Sequence, residues 1–259
     1  MKKKKKISIL IPCYNEEKGI GKVIDNVPLK KLDHMGFTVE IIVINNNSTD
    51  RTAHIAKDRN ATVIVEDRKG KGNAVRAGFS AVSPETNYVI MLDGDNTYKA
   101  SEIPRLIEPL ESNFADAIIG SRLGGKLREN SLLPANRAAN WVYTFLVRHF
   151  YHANTTDVLS GFFAWKKSVV DELKDNIESN GFSLEMEIII KMVKLGYEVY
   201  SVPITYDIRE GESKIEAIKD GFIILYTFFK YMNWYKGKQK VRKQNRFQLP
   251  LPINYENAE

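Results

Sequence analysis

Between residues 7 and 120 the chain alternates two hydrophobic patterns. Residues 7–11, 40–44, 62–65, 88–92 and 116–120 are short apolar runs. Runs of this length, bounded by turn residues, read as strands covered on both faces. Between them apolar residues recur every three or four positions: Ile20, Val23, Ile24 and Val27; Val75, Gly78, Phe79 and Val82; Ile103, Leu106, Ile107 and Leu110. That spacing predicts helices, with a further short one over 52–58. Strand and helix in turn predict βαβ units and a parallel sheet covered by helices on both faces.

Beyond residue 120 the pattern changes. A flexible basic stretch is expected as far as Pro134, then an aromatic-rich helix over 136–151 and a turn over 157–162 leading into another apolar run. Residues 182–195 read as a helix carrying Glu185 and Glu187. Tyr200, Val202, Ile204, Tyr206 and Ile208 alternate strictly, which marks a half-buried strand, and Pro203 within it points to a sheet edge. In residues 222–235 the strongly polar Thr227, Lys230 and Asn233 fall three apart, a narrow polar stripe on an otherwise apolar and aromatic helix. At about 1.5 Å per residue this helix reaches roughly 21 Å, short of the roughly 30 Å hydrocarbon layer. It fits an interfacial helix or, alternatively, a core helix packed on the sheet.

Composition narrows the class. With 259 residues, 43% of them hydrophobic, the chain can form one large domain or two small ones with a substantial core. Net charge is +6, concentrated in Lys2–Lys6 and in Lys236, Lys238, Lys240, Arg242, Lys243 and Arg246. Such ends suit an anionic surface or are solvated tails. No aromatic recognition motif is interleaved with them, so nucleic acid is not the expected partner. Cys13 is the only cysteine, which fits a reducing, cytoplasmic setting. Five lysines are followed by an apolar run too short for a signal-peptide core, and no stretch approaches the roughly 18 apolar residues of a spanning helix. A dinucleotide fingerprint and a P-loop are both missing. The four histidines offer no metal-ligand pairing; His149 and His152, three apart, lie in the aromatic helix.

Ligands of parallel sheets bind outside the carboxyl ends of the strands. Four polar loops fall there: 12–16, 45–50, 68–73 and 93–96. The last, Asp93-Gly94-Asp95-Asn96, places two hard carboxylates about one glycine, a pair suited to Mg²⁺ or Mn²⁺ carrying a diphosphate. Taken alone, Asp-x-Asp is equally a solvated turn; the convergence of four loops favours the metal.

Seven motifs now stand in order: Ile11-Pro12-Cys13-Tyr14-Asn15-Glu16; the Asn-Ser-Thr-Asp knot; Gly70-Lys71-Gly72; Asp93-Gly94-Asp95; Gly120-Ser121-Arg122; residues 157–162; and Gly211-Glu212-Ser213-Lys214. Together, over roughly residues 7–235, they resemble inverting family-2 glycosyltransferases, most closely the dolichol-phosphate mannose synthase and polyprenyl-phosphate glycosyltransferase branch. The resemblance implies a GT-A nucleotide-diphospho-sugar transferase fold over 7–215, after a basic run 1–6 and before an amphipathic helix 216–236 and a polar tail 237–259. It implies that Pro12, Tyr14 and Glu16 contact the nucleoside, with Asn46 standing where an Asp usually holds the base. Asp93 and Asp95, about Gly94, would take the metal and diphosphate, with Lys71, Arg209 and Lys214 around the phosphates. Arg122 and Arg137 would hold the acceptor phosphate, completing a catalytic set with Asp93 and Asp95. The Asn45-Asn46-Asn47 run departs from the Asp-Asp-Gly of many members. An amide donates and accepts where a carboxylate only accepts, so the base stays open, with a UDP-sugar favoured over GDP-mannose.

The activity expected from the resemblance is transfer of a hexose or N-acetylhexosamine to dolichyl or another polyprenyl phosphate. The enzyme would sit peripherally on the cytoplasmic face of the membrane, through the C-terminal helix or a membrane-protein partner. The alternatives are a soluble family-2 enzyme with a saccharide or protein acceptor, and a non-catalytic nucleotide-binding scaffold.

Overall fold

The computed structural model describes residues 3–211 and 217–234. In chain order it forms β1 (Lys5–Cys13), α1 (Ile20–Asp25), α2 (Leu29–His34), β2 (Phe37–Asn45), α3 (Thr52–Lys57), β3 (Thr62–Val65), α4 (Lys71–Ala81), β4 (Thr86–Met91), α5 (Ile103–Glu111), β5 (Ala117–Leu127), α6 (Pro134–Tyr151), β6 (Phe163–Lys166), α7 (Lys167–Leu173), α8 (Leu184–Lys194), β7 (Val199–Tyr206) and α9 (Ala217–Lys230). The strands make one sheet in the order β3-β2-β1-β4-β6-β5-β7. The pairs β1–β2, β1–β4, β2–β3 and β5–β7 are parallel, while β6 runs antiparallel to both β4 and β5.

Alternation along the strands divides the core into two layers. Ile7, Ile9 and Ile11 of β1 pack with α1, α2, α3 and α5 through Val23, Leu32, Ala56 and Leu106. Leu10, facing the other way, joins α4, α6, α7, α8 and α9 through Phe79, Val147, Val170, Ile189 and Phe228. Trp165 of β6 is fully buried there, against Phe163 and Phe79. Each large side chain so buried stabilises the fold by roughly 1.5–3 kcal/mol.

Several elements differ from the sequence reading. The chain does not loosen after Gly120: β5 continues to Leu127, shifts register between Ser121 and Lys126, and re-pairs Lys126 with Thr205 and Leu127 with Tyr206. Helices α2 and α7 were not expected. Their apolar residues are few, and the helices hold because Leu32, Val169, Val170 and Leu173 dock on the sheet. The edge position of β7 is observed. Of the basic run, Lys5 and Lys6 begin β1, and Lys4, Lys5 and Lys6 form ion pairs with Asp33, Glu111 and Glu40. Lys214, Lys236, Lys238, Lys240 and the expected tail 237–259 lie outside the described residues.

Helix α9 carries the expected apolar pattern, and of its polar stripe Lys230 and Asn233 are exposed. Thr227 of the polar stripe is buried and its hydroxyl donates to the Ile223 carbonyl, while Phe228 is in the core. Phe222, Tyr226 and Phe229 are left open beside them. Helix α6, packed beside it, also exposes Trp141, Val142 and Phe145. Among the described residues no helix is long and apolar enough to cross a membrane.

Candidate active site

Because β1 and β4 are central parallel neighbours, their carboxyl ends place residues 12–16 beside residues 93–95. The loops after β2 and β3 close one side. The result is a cleft of about 290 Å³ lined by Pro12, Cys13, Tyr14, Glu16, Asn46, Lys69, Gly70, Lys71, Ala74, Asp93, Gly94, Gly181, Phe182 and Arg209.

The Asp-Gly-Asp segment is shaped by crowding. A Cβ on Gly94 would stand 2.5 Å from Cys13 Sγ, so the segment packs against β1 only with glycine there. The turn comes two residues after Gly94, at Asn96, which stands in the left-handed region with φ 62°. Asp95 is buried; its Oδ1 accepts from the Thr97 N–H at 3.1 Å and the Thr97 hydroxyl at 2.6 Å. Burial and the neighbouring Asp93 charge raise its pKa, against the lowering pull of Arg209 and Thr97.

Two cations meet these carboxylates. Lys71, the first residue of α4, lies 2.7 Å from Asp93 Oδ1 and 2.7 Å from Glu185 Oε1 of α8. Burial alone would lower its pKa, but Asp93 and Glu185 outweigh burial and raise it, so Lys71 stays charged. Arg209 donates to Glu16 Oε1 at 2.7 Å and lies 3.1 Å from Asp95 Oδ2. Its Nε is buried and has no hydrogen-bond partner among the described residues. A buried donor left unpaired costs free energy, on the order of 1–3 kcal/mol, until something accepts from it.

Asn46 lines the cleft and its amide also bonds to the chain itself. Nδ2 donates to the carbonyls of Glu66 and Arg68 at 2.9 and 2.8 Å, and Oδ1 accepts from the Gly70 N–H at 2.8 Å. A carboxylate could not make the first two bonds. Asn46, read in the sequence as a base contact, thus lines the cleft and also shapes the loop 66–70 around it.

Of the other basic residues named from the sequence, Lys71 and Arg209 line the cleft, and Arg122 and Arg137 do not. Arg122 is buried with two nitrogens on Asp157, Nε to Oδ2 and NH2 to Oδ1, each at 2.8 Å. Burial would raise the Asp157 pKa, but Arg122 and Asn140 hold it below the ordinary carboxylate range. Asn140, on α6, donates to the same Asp157 at 2.7 Å, so the pair anchors the start of α6. Arg137 is exposed one turn earlier on that helix. Sequence reading missed Glu185 and Asp157 as partners of these cations. The signal for Glu185 was a charge inside an otherwise apolar helical run; Asp157 carried none beyond its motif.

An acidic pair with two half-buried cations at the carboxyl edge of a mainly parallel sheet is an arrangement suited to holding an anionic ligand in an α/β protein. The family model described as Glycosyl transferase family 2 matches residues 8–174, and the chain belongs to that family. The low-salt glycan biosynthesis hexosyltransferase Agl6 of Haloferax volcanii is 34% identical over 217 residues, covering 83% of this chain and 51% of the relative. This chain thus spans about half the length of that protein. The dolichyl-phosphate hexose transferase of Haloferax volcanii is 28% identical over 219 residues, covering 84% of this chain and 90% of its own. A solved structure of glucosyl-3-phosphoglycerate synthase from Mycobacterium tuberculosis, in complex with Mn²⁺, uridine diphosphate and phosphoglyceric acid, superposes with TM-score 0.69 at 20% identity, over 90% of this chain and 80% of that one. The shared fold is GT-A.

Proposed function

We propose that this protein transfers a hexose or N-acetylhexosamine from a nucleotide diphosphate sugar to dolichyl or another polyprenyl phosphate. The donor half rests on the cleft. Pro12, Tyr14 and Glu16 border its nucleoside end, and Asn46 shapes that end through the loop 66–70. The Asn-rich loop favours a UDP-sugar, with a GDP-sugar the other candidate. Asp93, Asp95, Lys71 and Arg209 surround the place for the diphosphate.

The donor set fits a divalent cation. Asp93 and Asp95 are hard oxygen ligands, and the orphaned Arg209 Nε suits a phosphate oxygen beside them. Mg²⁺ or Mn²⁺ bound by Asp93 and Asp95 would neutralise charge developing on the leaving diphosphate. Lys71 and Arg209 act on the same charge with fixed donors.

The acceptor half rests on one observation: exposed Arg137 stands four residues before exposed Trp141 on α6, so the two are neighbours on one helix face. A phosphate taken by the guanidinium would leave its lipid chain against Trp141 and Phe145. A phosphate monoester is already anionic near neutral pH and needs orientation more than deprotonation. Its oxygen attacks the anomeric carbon as the bond from that carbon to the diphosphate breaks on the opposite face, inverting the centre. Arg122, tied to Asp157 and Asn140, acts by fixing the turn of α6 that carries Arg137. The location that goes with this reading is peripheral, on the cytoplasmic face of the membrane, with the aromatic face of α6 and α9 in the interface.

The test is a panel of UDP- and GDP-sugars with polyprenyl phosphate and Mg²⁺ or Mn²⁺. The expected product is an acid-labile lipid-phosphate sugar from one nucleotide series. Hydrolysis without transfer, or no turnover with any donor, would contradict the proposal.

A further inference from the structure

The segment 176–182, between α7 and α8, straps across the start of α4, and its last residues, Gly181 and Phe182, form part of the cleft wall. It is fastened from two sides. From α4, the Arg76 guanidinium donates to the carbonyls of Ile177 and Ser179 at 3.2 and 3.0 Å and to Asn180 Oδ1 at 2.6 Å. The Gly72 N–H donates to the Asn180 carbonyl at 3.0 Å. A Cβ on Gly72 would stand 1.8 Å from the Ser179 carbonyl oxygen, so the strap lies this close to α4 only over glycine. From α8, the buried Glu187 carboxylate accepts the N–H groups of Glu178 and Ser179 at 2.8 and 2.7 Å. Glu187 is itself held by Lys191 at 2.5 Å and by the Tyr231 hydroxyl at 2.8 Å.

Arg76 does not line the cleft. Its planar fork nonetheless gathers three oxygens from one short irregular segment, an arrangement a lysine cannot reproduce. Nothing else in the mechanism uses this cation. Helix α4 also begins with Lys71, the cation on Asp93. Arg76 therefore fixes the distance between the strap and the helix whose first residue meets the diphosphate.

We infer that Arg76 is a positioning residue for the nucleotide sugar, acting from outside the cleft by holding the 176–182 strap so that Gly181 and Phe182 form its wall. The inference rests on the donor reading above. It separates the two substrates: the strap borders the donor cleft, whereas Arg137 and Trp141 lie on another helix.

The test uses the full chain and titration calorimetry with UDP and with GDP, in Mn²⁺, well below each variant's Tm. Arg76→Ala is expected to weaken nucleotide binding and raise the donor KM about tenfold, as for loss of charge-assisted hydrogen bonds. kcat and the KM for polyprenyl phosphate should stay near wild type. Arg76→Lys should recover only part of the loss, because one ammonium cannot span the three oxygens. Asn180→Ala removes a single exposed partner and should shift binding the same way by about threefold. A folded Arg76→Ala protein with wild-type nucleotide affinity, whatever its Tm, would overturn the inference. If Arg76→Ala does not fold, unchanged affinity in Asn180→Ala would do so. Wild-type protein that binds neither nucleotide overturns the donor reading itself, and the inference with it.

Discussion

The strand-end cleft and the α6–α9 face are built on opposite principles. In the cleft, charge is half-buried or buried and matched: Lys71 lies between Asp93 and Glu185, and Arg209 lies between Glu16 and Asp95. On the helical face, apolar surface is left open, with Trp141 64% and Phe222 70% exposed. Buried charges persist only when geometry pairs them, so the cleft depends on the whole fold. An exposed apolar patch of this kind marks a surface that meets something other than water. Changes in the cleft should therefore alter chemistry or stability, and changes on the face should alter where the protein goes.

The largest effect is expected at Asp95. Asp95→Ala should lower transfer by roughly a thousandfold or more, as for loss of a central electrostatic group. The variant also strips the Thr97 N–H and hydroxyl of their acceptor and leaves Arg209 with Glu16 alone, so nucleotide-free unfolding of the variant is measured alongside transfer. Near-normal turnover would remove Asp95 from the site.

Asp157→Asn tests the matched-charge principle away from the cleft. It leaves Arg122 buried and unpaired, which should cost about 3–5 kcal/mol in urea unfolding. Asp157 is held below the ordinary carboxylate range, so its stabilisation is complete above its unfolded value near 4. That stabilisation is lost as pH falls through the lower folded value. Wild-type stability should fall across that acid window and the variant's should lack this component. A loss under about 1 kcal/mol would mean that the pair is dispensable.

Arg137→Ala sits where the two regions meet. Use of polyprenyl phosphate should weaken by about 2 kcal/mol, roughly thirtyfold, with nucleotide binding unchanged. Equal loss on both substrates would move Arg137 to the donor side.

The smallest effect on stability is expected on the open face. Replacing Trp141, Phe222 and Phe229 together with Ser should abolish binding to anionic vesicles while stability changes by less than about 0.5 kcal/mol per site. Phe228→Ala, one residue from Phe229 yet buried, should cost about 3–5 kcal/mol. A triple variant that still binds vesicles would detach the face from the membrane.

The same contrast governs what the sequence reveals. The cleft was legible because it is made of strand ends: β3 falls on residues 62–65 as the apolar run predicts, and Asp93 follows directly from a buried strand. The insertion of β6 between β4 and β5 was not legible, because antiparallel pairing with strands some 45 to 75 residues earlier leaves no local signal. Arg122 looked like a free anion ligand because its partner Asp157 is remote in sequence. On α9 the polar stripe divides: Thr227 satisfies its hydroxyl on the preceding turn and goes inward, while Lys230 and Asn233 stay exposed. Asn46 shows the reverse case, a departure visible in sequence whose meaning, two donated bonds to a loop, needed coordinates.

The central claim joins the two regions: sugar leaves the cleft and arrives on a phosphate whose lipid lies along the α6–α9 face. One competition measures it. With the preferred nucleotide sugar and Mn²⁺, dolichyl phosphate in vesicles and 3-phosphoglycerate in solution are offered in the same reaction at equal phosphate concentration. The account predicts label almost wholly in the lipid, falling to background when Trp141, Phe222 and Phe229 are replaced while nucleotide binding persists. Preferential glycosylation of the soluble phosphate, unaffected by those replacements, would contradict it.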